Sequence, residues 1–340
     1  MDSVKSLSSP LTIVSGLRRT GKSSVVMISI GELKFPYIYI DLRRFEEKSY
    51  FSYKDFLIEI EREVNKLVKR FPSLLDFLKG VKGLNVMGNE VKFNWGRKER
   101  LSFSFLLEAL NDWTRDVVVV VMDEAQELIN LRGVNLLYPL AYSFDNLSKV
   151  KIILSGSKMG LLYRFLRADD ANSPLFGRAM NEVELHPFNR VESVNFLRKG
   201  FEELGIEFKD HERVYEEVGG IPGWLTYFGY YYYRTRDFND AIKRTTDKAR
   251  DLTVNEFNNF LLKRTIAKDR YMTVMRTIAR ECSRWSEIKS ALEVNEGREL
   301  SDSEIYNYLN RLMDSSWIVK RGDLYCPAEK LISKVFRELI

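Results

Sequence analysis

The sequence predicts an α/β fold, in which a parallel β-sheet with crossover helices is followed by a helical domain and a small C-terminal domain. Short apolar runs alternate with amphipathic stretches up to about residue 185, which is typical of a parallel sheet. A glycine-rich loop joins the first apolar run to a helical pattern, and helical patterns dominate after residue 187. The 340 residues suffice for two or three domains, which we place at 1–187, 188–266 and 267–340.

The composition is that of a globular protein and excludes several classes. Hydrophobic residues make up 45% of the chain and charged residues 30%, so disorder is not expected. No apolar run approaches the ~18 residues of a membrane-spanning helix, and the N-terminus shows no secretory signal, so we expect a cytoplasmic protein. The net charge of +5 allows an anionic partner without requiring one.

Cysteine and histidine are scarce. The two cysteines, Cys282 and Cys326, cannot build a disulfide framework and lack the spacing of metal ligands. Since there are only 2 histidines besides, a structural zinc site is not expected. Any metal is therefore expected to be a hard ion held by oxygen ligands, and Mg²⁺ is the usual choice.

Five apolar runs in the first domain are predicted to be the strands of the sheet. The third is apolar on both faces, as a central buried strand must be. An insertion at 53–100 separates the second run from the third. It begins with a helix at 53–70, and two β-like runs then flank the turn pair Gly88-Asn89. The predicted strands are 11–15, 37–41, 117–123, 151–155 and 182–185, and the hairpin runs are 81–87 and 91–95.

The region after residue 187 is predicted to form two further domains. Four helical patterns build a helical domain, and three more helices followed by a hairpin give the pattern of a winged helix. Ser301 and Glu304 fit a capping box at the start of the last helix. The predicted helices are 190–204, 211–218, 223–234, 237–263, 270–282, 285–293 and 301–315, and the hairpin strands are 317–320 and 324–326.

The loop after the first strand has the spacing of a phosphate-binding loop, G-x-x-x-x-G-K-[S/T]. Its glycines let backbone N–H groups point at phosphate oxygens, and the following helix adds the positive end of its dipole. Lys22 is predicted to reach the β- and γ-phosphates, and the Ser23 hydroxyl to bind Mg²⁺. The predicted nucleotide-binding residues here are Gly16, Leu17, Arg18, Arg19, Thr20, Gly21, Lys22, Ser23 and Ser24.

Two carboxylates follow the third predicted strand, at the edge of the sheet where the phosphate loop is also expected. Asp123 is predicted to hold Mg²⁺, directly or through water. Glu124 is predicted to be the general base that polarises the attacking water. An Asp-Glu pair after a strand is also a common helix N-cap, an alternative that the nearby phosphate loop makes less favourable.

Three further candidates each have a plain structural alternative. Ser157, favoured over Ser155, is predicted to contact the γ-phosphate or the attacking water, and the alternative is a strand-to-loop cap. Arg178 is predicted to be an arginine finger, and the alternative is a surface arginine on a loop. Pro222 opens a helix after two glycines that let a base or ribose approach closely, and the alternative is a helix–turn–helix corner.

Together these motifs resemble the archaeal ATPase family, AAA-like P-loop proteins related to the STAND signalling ATPases and to origin-recognition ATPases. The resemblance covers nearly the whole chain, and it implies a sheet ordered 5-1-4-3-2, a helical lid and a C-terminal winged helix. It also implies an adenine nucleotide, with residues around Pro222 closing over the base. The matching segments are Gly16-Leu17-Arg18-Arg19-Thr20-Gly21-Lys22-Ser23, Met122-Asp123-Glu124-Ala125-Gln126, Leu154-Ser155-Gly156-Ser157, Leu175-Phe176-Gly177-Arg178 and Gly219-Gly220-Ile221-Pro222.

Two features depart from the pattern of the family. Relatives carry a segment with an Arg-Glu pair before the first strand, whereas ten residues precede Leu11 here. This implies either a truncated chain or a more open adenine site. The helix that starts at Gly223 has no arginine before Arg234, so an arginine sensor is not expected there.

The leading hypothesis is a Mg²⁺-dependent ATPase whose hydrolysis of ATP drives a conformational switch between core, lid and winged helix. A rival hypothesis is a binding switch that holds ATP or ADP with little turnover until a protein partner arrives. A third makes the winged helix a DNA reader, which we favour less because acidic and basic residues nearly balance in 268–340. The partner, the oligomeric state, and whether Arg178 acts within its own chain stay open.

Overall fold

The computed structural model describes residues 8–94 and 100–338. Contacts divide the chain into two units, of which the first comprises Met1–Gly16 and Lys22–Leu185. The second comprises Leu17–Gly21 and His186–Ile340, so the middle of the phosphate loop belongs to it by contact. None of the helices in the described ranges combines the length and the apolarity that crossing a membrane requires.

The first unit alternates strands with helices, as the sequence pattern predicts. Its described strands are β1 (Leu11–Gly16), β2 (Tyr37–Asp41), β3 (Phe51–Ser52), β4 (Leu84–Met87), β5 (Glu90–Phe93), β6 (Val118–Asp123), β7 (Leu131–Arg132), β8 (Val150–Gly156) and β9 (Asn181–Leu185). Its described helices are α1 (Lys22–Leu33), α2 (Tyr53–Arg70), α3 (Leu74–Leu78), α4 (Phe103–Trp113), α5 (Leu137–Asn146) and α6 (Met159–Leu166).

Five of these strands form the central parallel sheet, in the order β2-β6-β8-β1-β9. Counted along the chain, this is the order 5-1-4-3-2 that the family resemblance implies, so that prediction is confirmed. Asp123 of β6 lies opposite Asp41 of β2, and Met122 lies opposite Leu154 of β8. Parallel pairing brings the carboxyl ends of the strands to one edge, where the phosphate loop leaves β1.

Both faces of this sheet are buried, which explains the uninterrupted apolar sequence of β6. Successive side chains of a strand point to opposite faces. Val120 therefore belongs to the larger core cluster, which includes α2 and the helices that follow it. Val119 and Val121 pack on the other face with Val26 and Ile30 of α1.

The insertion after β2 has the predicted helix and hairpin and differs at one edge. α2 spans the predicted range, and its N-cap residue Ser52 forms a capping box. The hairpin begins at Leu84 rather than at Val81, because the Val81 carbonyl accepts the Leu84 N–H in a turn. Gly88 has φ 59°, a left-handed backbone that favours glycine. The predicted end of the hairpin at residue 95 lies outside the described residues.

The second unit contains a helical region and a winged helix. In the helical region, α7 (Arg190–Glu203), α8 (His211–Val218), α9 (Pro222–Thr235) and α10 (Phe238–Leu262) lie close to their predicted ranges. Phe228 and Tyr232 of α9 join Phe208 in an aromatic cluster. These two aromatic residues of α9 therefore serve packing.

The winged helix contains the three predicted helices and the predicted hairpin, together with two elements that the sequence pattern did not predict. The predicted ones are α11 (Lys268–Arg280), α12 (Trp285–Glu296), α13 (Asp302–Asp314), β11 (Ile318–Arg321) and β12 (Leu324–Pro327), and the additional ones are β10 (Ser283–Arg284) and α14 (Lys330–Glu338). The three strands pair in the order β10-β12-β11. The predicted capping box begins α13, with the Ser301 hydroxyl accepting the Glu304 N–H.

The two cysteines form a disulfide, although they are too few to build a framework. Cys282 immediately precedes β10, and Cys326 lies in β12. Antiparallel pairing of Ser283 with Tyr325 brings the two cysteine Cα atoms to 4.4 Å. The spacing of 44 residues gave no sign of this pair, because only the pairing of the strands places the thiols side by side.

Candidate functional site

The phosphate loop connects β1 to α1. The Lys22 ammonium donates to the Gly16 carbonyl at 3.1 Å, and the Thr20 hydroxyl donates to the Leu17 carbonyl at 2.8 Å. Gly21 has φ 90°, a backbone that residues with a Cβ rarely adopt. The loop is thereby curled beside a buried cation, and loops of this shape present N–H groups to anions.

The middle of the loop makes its contacts within the second unit. Arg18 and Arg19 both form ion pairs with Glu256 of α10, the first at 3.1 Å between Nη1 and Oε2. The Arg19 guanidinium also lies over the ring of Trp224, 4.5 Å from its centroid. Both arginines that were predicted to bind nucleotide are therefore held by side chains of the helical region.

The start of α9 contacts the backbone of the same segment. The Gly223 N–H donates to the Arg19 carbonyl at 3.0 Å. A Cβ on Gly223 would lie 2.7 Å from the Arg19 Cβ, so only glycine permits this approach. Pro222 is the first residue of α9, and its predicted place beside the base stays a prediction.

Trp224 connects this cluster to a carboxyl group next to α14. The indole N–H donates to Glu329 Oε2 at 3.0 Å. Burial raises the pKa of Glu329 to about 7, although the charge of Arg19 and the bond from Trp224 act in the opposite direction. Glu329 therefore changes its charge near neutral pH.

Asp123, at the end of β6, accepts hydrogen bonds from three hydroxyl groups. Ser23 of α1 donates at 2.7 Å and Tyr39 of β2 at 2.5 Å, and Ser155 of β8 also donates. Burial alone raises the pKa of Asp123, but the three hydroxyl donors and the charge of Arg43 lower it below its usual value. This fully buried carboxylate is thus kept charged largely by neutral donors.

The arrangement fits the Mg²⁺ that the sequence predicted. Mg²⁺ keeps several waters and binds one or two carboxylates together with phosphate oxygens. Ser23 and Asp123 supply a hydroxyl and a carboxylate 2.7 Å apart. The described ranges contain no group of three or more acidic, histidine or cysteine side chains suited to a metal ion. An ion that shares its ligands with nucleotide phosphates does not need such a group.

Glu124, the residue after Asp123, has a left-handed backbone with φ 54°. Such a conformation costs a non-glycine residue about 1–2 kcal/mol and is frequent at functional sites. Its Oε2 accepts the Gln126 amide at 2.5 Å, the Ser157 hydroxyl at 2.7 Å and the Ser157 N–H at 3.3 Å. Ser157 therefore donates a hydrogen bond to the predicted general base, whereas Ser155 donates one to the predicted metal ligand.

Arg178 is bound to other groups of the first unit. Its Nε donates to Asp145 Oδ1 at 2.9 Å, and its guanidinium also donates to the Pro174 carbonyl. The predicted arginine finger has to leave Asp145 before it can contact a phosphate.

Ser24, which was also predicted to bind nucleotide, is exposed in the first turn of α1.

Several residues of these clusters were not predicted from the sequence. Tyr39 had a weak signal, because β2 alternates apolar residues with residues that carry polar tips. Gln126 stood next to the acidic pair without an assigned role. Trp224 and Glu256 lie more than two hundred residues from the arginines that they contact, and no sequence spacing connects them.

Two basic residues of the winged helix, on the helices next to α13, form ion pairs. Arg270 contacts Glu296 at 2.6 Å, and Lys289 contacts Asp302 at 2.8 Å. Lys320 of the hairpin is exposed and lies near the ring of Tyr325. Cations that are already paired with carboxylates contribute less to binding a phosphate backbone.

The chain is similar to known families and solved structures over most of its length. A family model described as "ATPase domain predominantly from Archaea" matches residues 4–228, and a model of the MCM protein C-terminal winged helix-turn-helix domain matches residues 265–328. The Walker-type ATPase PABY2304 of Pyrococcus abyssi is 33% identical, with 99% of this chain and 95% of that chain covered at a TM-score of 0.82.

More distant similarities were also found. Cdc6p from Pyrobaculum aerophilum is 12% identical, with 97% of this chain and 88% of that chain covered and a TM-score of 0.46. The Aeropyrum pernix Orc1 protein, solved in complex with DNA, is 15% identical over 96% of this chain and 86% of that chain, with a TM-score of 0.42. No curated protein matches the sequence.

Proposed function

Because the chain belongs to the family of ATPase domains found predominantly in Archaea, we propose that it binds Mg²⁺–ATP and hydrolyses it at the carboxyl edge of its parallel sheet. The observation that carries this proposal is the 2.7 Å hydrogen bond between Ser23 and Asp123. It joins the hydroxyl that follows the phosphate-loop lysine to a carboxylate at the end of a strand. Phosphate loops use this pair of oxygen ligands for Mg²⁺.

Binding of the phosphates uses the loop and the first turn of α1. Lys22 exchanges the Gly16 carbonyl for phosphate oxygens, and the loop N–H groups surround the β-phosphate. Ser23 and Asp123 would hold the ion. Mg²⁺, when bound, neutralises part of the charge that develops on the phosphate oxygens.

Glu124 is the proposed general base. Its carboxylate accepts a proton from the attacking water, which makes the water a better nucleophile for the γ-phosphorus. Ser157 donates to Glu124 Oε2 and so fixes the plane of the carboxylate. Arg178 is proposed to stabilise the transition state once it has left Asp145.

One observation favours a second function, a nucleotide-controlled binding switch with little turnover. Arg178, one of the two groups proposed to act on the γ-phosphate, is bonded to Asp145. Hydrolysis therefore requires Arg178 to leave Asp145, and a protein partner is a natural source of that change. In either case ATP and ADP are proposed to favour different arrangements of the domains 1–187, 188–266 and 267–340.

The winged helix is proposed to dock a protein rather than to read DNA. Its cations at Arg270 and Lys289 are paired with carboxylates. A helix that reads DNA normally offers several unpaired cations to the phosphate backbone, and its affinity then falls steeply with salt. Salt-dependent binding of duplex DNA by the full chain, and its loss in Lys320→Ala, would overturn this preference.

The test of the proposed hydrolysis is steady-state turnover of ATP with Mg²⁺ in the wild type and in Glu124→Gln. We expect measurable turnover in the wild type and a loss of about 10²-fold or more in the variant, with ATP binding retained, because the amide cannot take up a proton. Glu90→Gln changes an exposed acid of the hairpin and is the matched control. Tight binding with no turnover in any of the three would establish the binding switch instead.

A further inference from the structure

We propose that Gln126 is a positioning residue that holds the Glu124 carboxylate in its orientation for hydrolysis. The inference rests on the proposed function of Glu124 as general base. Gln126 lies two residues after Glu124, in the 3₁₀ turn Ala125–Asn130, and only 1% of it is exposed. Its Nε2 donates to Glu124 Oε2 at 2.5 Å. Because this buried amide donates to an acid of the candidate site, Gln126 does more than fill space in the core.

The orientation of the Gln126 amide follows from the charge that it faces. A carboxylate accepts hydrogen bonds only, so the NH₂ end must point at Glu124 and the carbonyl end away from it. The carbonyl Oε1 is buried and has no hydrogen-bond partner among the described residues. Leaving an acceptor without a hydrogen bond costs free energy. The position of the Gln126 side chain is therefore set by its hydrogen bond to Glu124 and not by hydrogen bonding of its own carbonyl.

The chain makes room for this amide at Gly156. A Cβ on Gly156 would lie 2.5 Å from Gln126 Oε1 and 3.1 Å from Leu162 Cδ2. Any side chain at 156 would therefore displace the amide. Gly156 ends β8 and directly precedes Ser157, the other donor to Glu124 Oε2. Two consecutive residues at the end of β8 thus help to position the Glu124 carboxylate. Ser157 donates a hydrogen bond to it, and Gly156 leaves space for the Gln126 amide.

The result is an asymmetric carboxylate. Gln126 and Ser157 both donate to Oε2, and this fixes the rotation of the carboxylate about its last bond. Oε1 is then the oxygen that accepts the proton of the attacking water. Without Gln126 the carboxylate rotates more freely, and a base that is misplaced by a fraction of an ångström loses much of its effect.

The first arm of the test is Gln126→Met, which keeps the length of the side chain and removes the donor. We expect single-turnover hydrolysis to slow roughly 10- to 100-fold while the Kd for Mg²⁺–ATP changes less than about twofold. In the Glu124→Gln background the same substitution is expected to have no further effect, because Gln126 acts through the base that is already lost. A residue with a merely structural role would slow both backgrounds by the same factor, and that result would overturn the inference.

The second arm uses Gly156→Ala. We expect this variant to slow hydrolysis as Gln126→Met does, and to add nothing when it is combined with Gln126→Ala, because the shorter side chain leaves room for the new methyl group. If Gly156→Ala slowed hydrolysis by the same factor in the wild type and in Gln126→Ala, the methyl group would be acting through Leu162. That result would count against the inference. Thermal unfolding of every variant shows whether the fold is kept.

The outcomes separate the inference from the function on which it rests. Wild-type turnover together with an unaffected Gln126→Met refutes the positioning role alone. No turnover in the wild type refutes hydrolysis, and the positioning role with it. Turnover that depends on Gln126 only while Glu124 is present supports both.

Discussion

The two groups of charged residues around the phosphate loop are held by opposite means. Asp123 and Glu124, in the first unit, are held by neutral donors, which are hydroxyl groups, the Gln126 amide and backbone N–H groups. Arg18 and Arg19, in the second unit, are held by the opposite charge of Glu256, and Arg19 also by the ring of Trp224.

This difference bears on which group is ready to bind a ligand. Neutral donors orient a carboxylate without cancelling its charge, so Asp123 keeps its attraction for a divalent cation. An ion pair cancels much of the field of both partners, so Arg18 and Arg19 can meet a phosphate only by giving up Glu256. The acidic group is therefore prepared for the proposed Mg²⁺, whereas the arginines have first to be released from Glu256.

Asp123→Asn is expected to have the largest effect, because it removes the charge that the neutral donors preserve. We expect turnover with Mg²⁺ to fall roughly 10³-fold, since metal stabilisation of the transition state is worth several kcal/mol. Binding of ATP in the presence of EDTA should be retained. A Mg²⁺ titration of turnover measures the change, with the exposed Asp76→Asn as control. Equal turnover in the two variants would contradict the assignment of Asp123.

Tyr39→Phe removes one neutral donor and is expected to have a moderate effect. We expect the free energy of unfolding at pH 7 to fall by about 1 kcal/mol and half-maximal turnover to need several-fold more Mg²⁺.

The pH dependence of Tyr39→Phe follows from the pKa of Asp123, which lies below its usual value in the folded protein. The stability that this shift provides is present above the usual value and is lost as the pH falls through the folded pKa. Losing one donor moves that loss to higher pH. Urea unfolding at pH 7 and below the usual pKa of an aspartate, about 4, tests this, and Tyr138→Phe, which changes an exposed tyrosine, should show neither change.

Glu256→Gln addresses the other half of the comparison and is expected to have a smaller effect. Releasing Arg18 and Arg19 should lower the Kd for ATP several-fold at low salt, and the gain should shrink as salt screens the arginines. Titration of a fluorescent ATP analogue at two ionic strengths measures it. Asp251→Asn, an exposed change on the same helix α10, is the control. A weaker affinity for ATP in Glu256→Gln would show that the ion pairs hold the loop in its binding shape.

Glu329→Gln is expected to have the smallest effect, visible as a change in pH dependence. The folded pKa of about 7 is raised above the ordinary value, so the stability from protonated Glu329 is lost as the pH rises through 7. The wild type should therefore lose Tm between pH 5.5 and pH 8, and Glu329→Gln should lose less. Glu299→Gln, which changes an exposed acid, is the control. If Glu329→Gln lost as much Tm between pH 5.5 and pH 8 as the wild type does, the raised pKa would be contradicted.

The sequence predicted the sheet well, because its strands carry strong local signals. Strand β2 and helix α2 lie where their apolar patterns place them. The strand order followed from the resemblance to a family rather than from the pattern of any strand. Helices α3, α4, α5 and α6 were not predicted, and none of their N-cap residues makes a capping hydrogen bond.

The site was predicted only where chemistry is encoded by neighbours in the sequence. The phosphate loop and the Asp123-Glu124 pair are contiguous motifs, so their residues could be named. The partners that hold them come from other elements, as Tyr39 and Glu256 do, and only the fold brings them close. The same reason hid the disulfide, whose cysteines meet through the pairing of β10 with β12.

The most direct measurement is the identity of the nucleotide that remains bound after the protein has been incubated with Mg²⁺–ATP and separated from free nucleotide. If the neutral donors present Glu124 as a working base, the wild type retains ADP and Glu124→Gln retains ATP. Retention of ATP by both would contradict hydrolysis at this site. Retention of ADP by both would show that the reaction does not depend on Glu124.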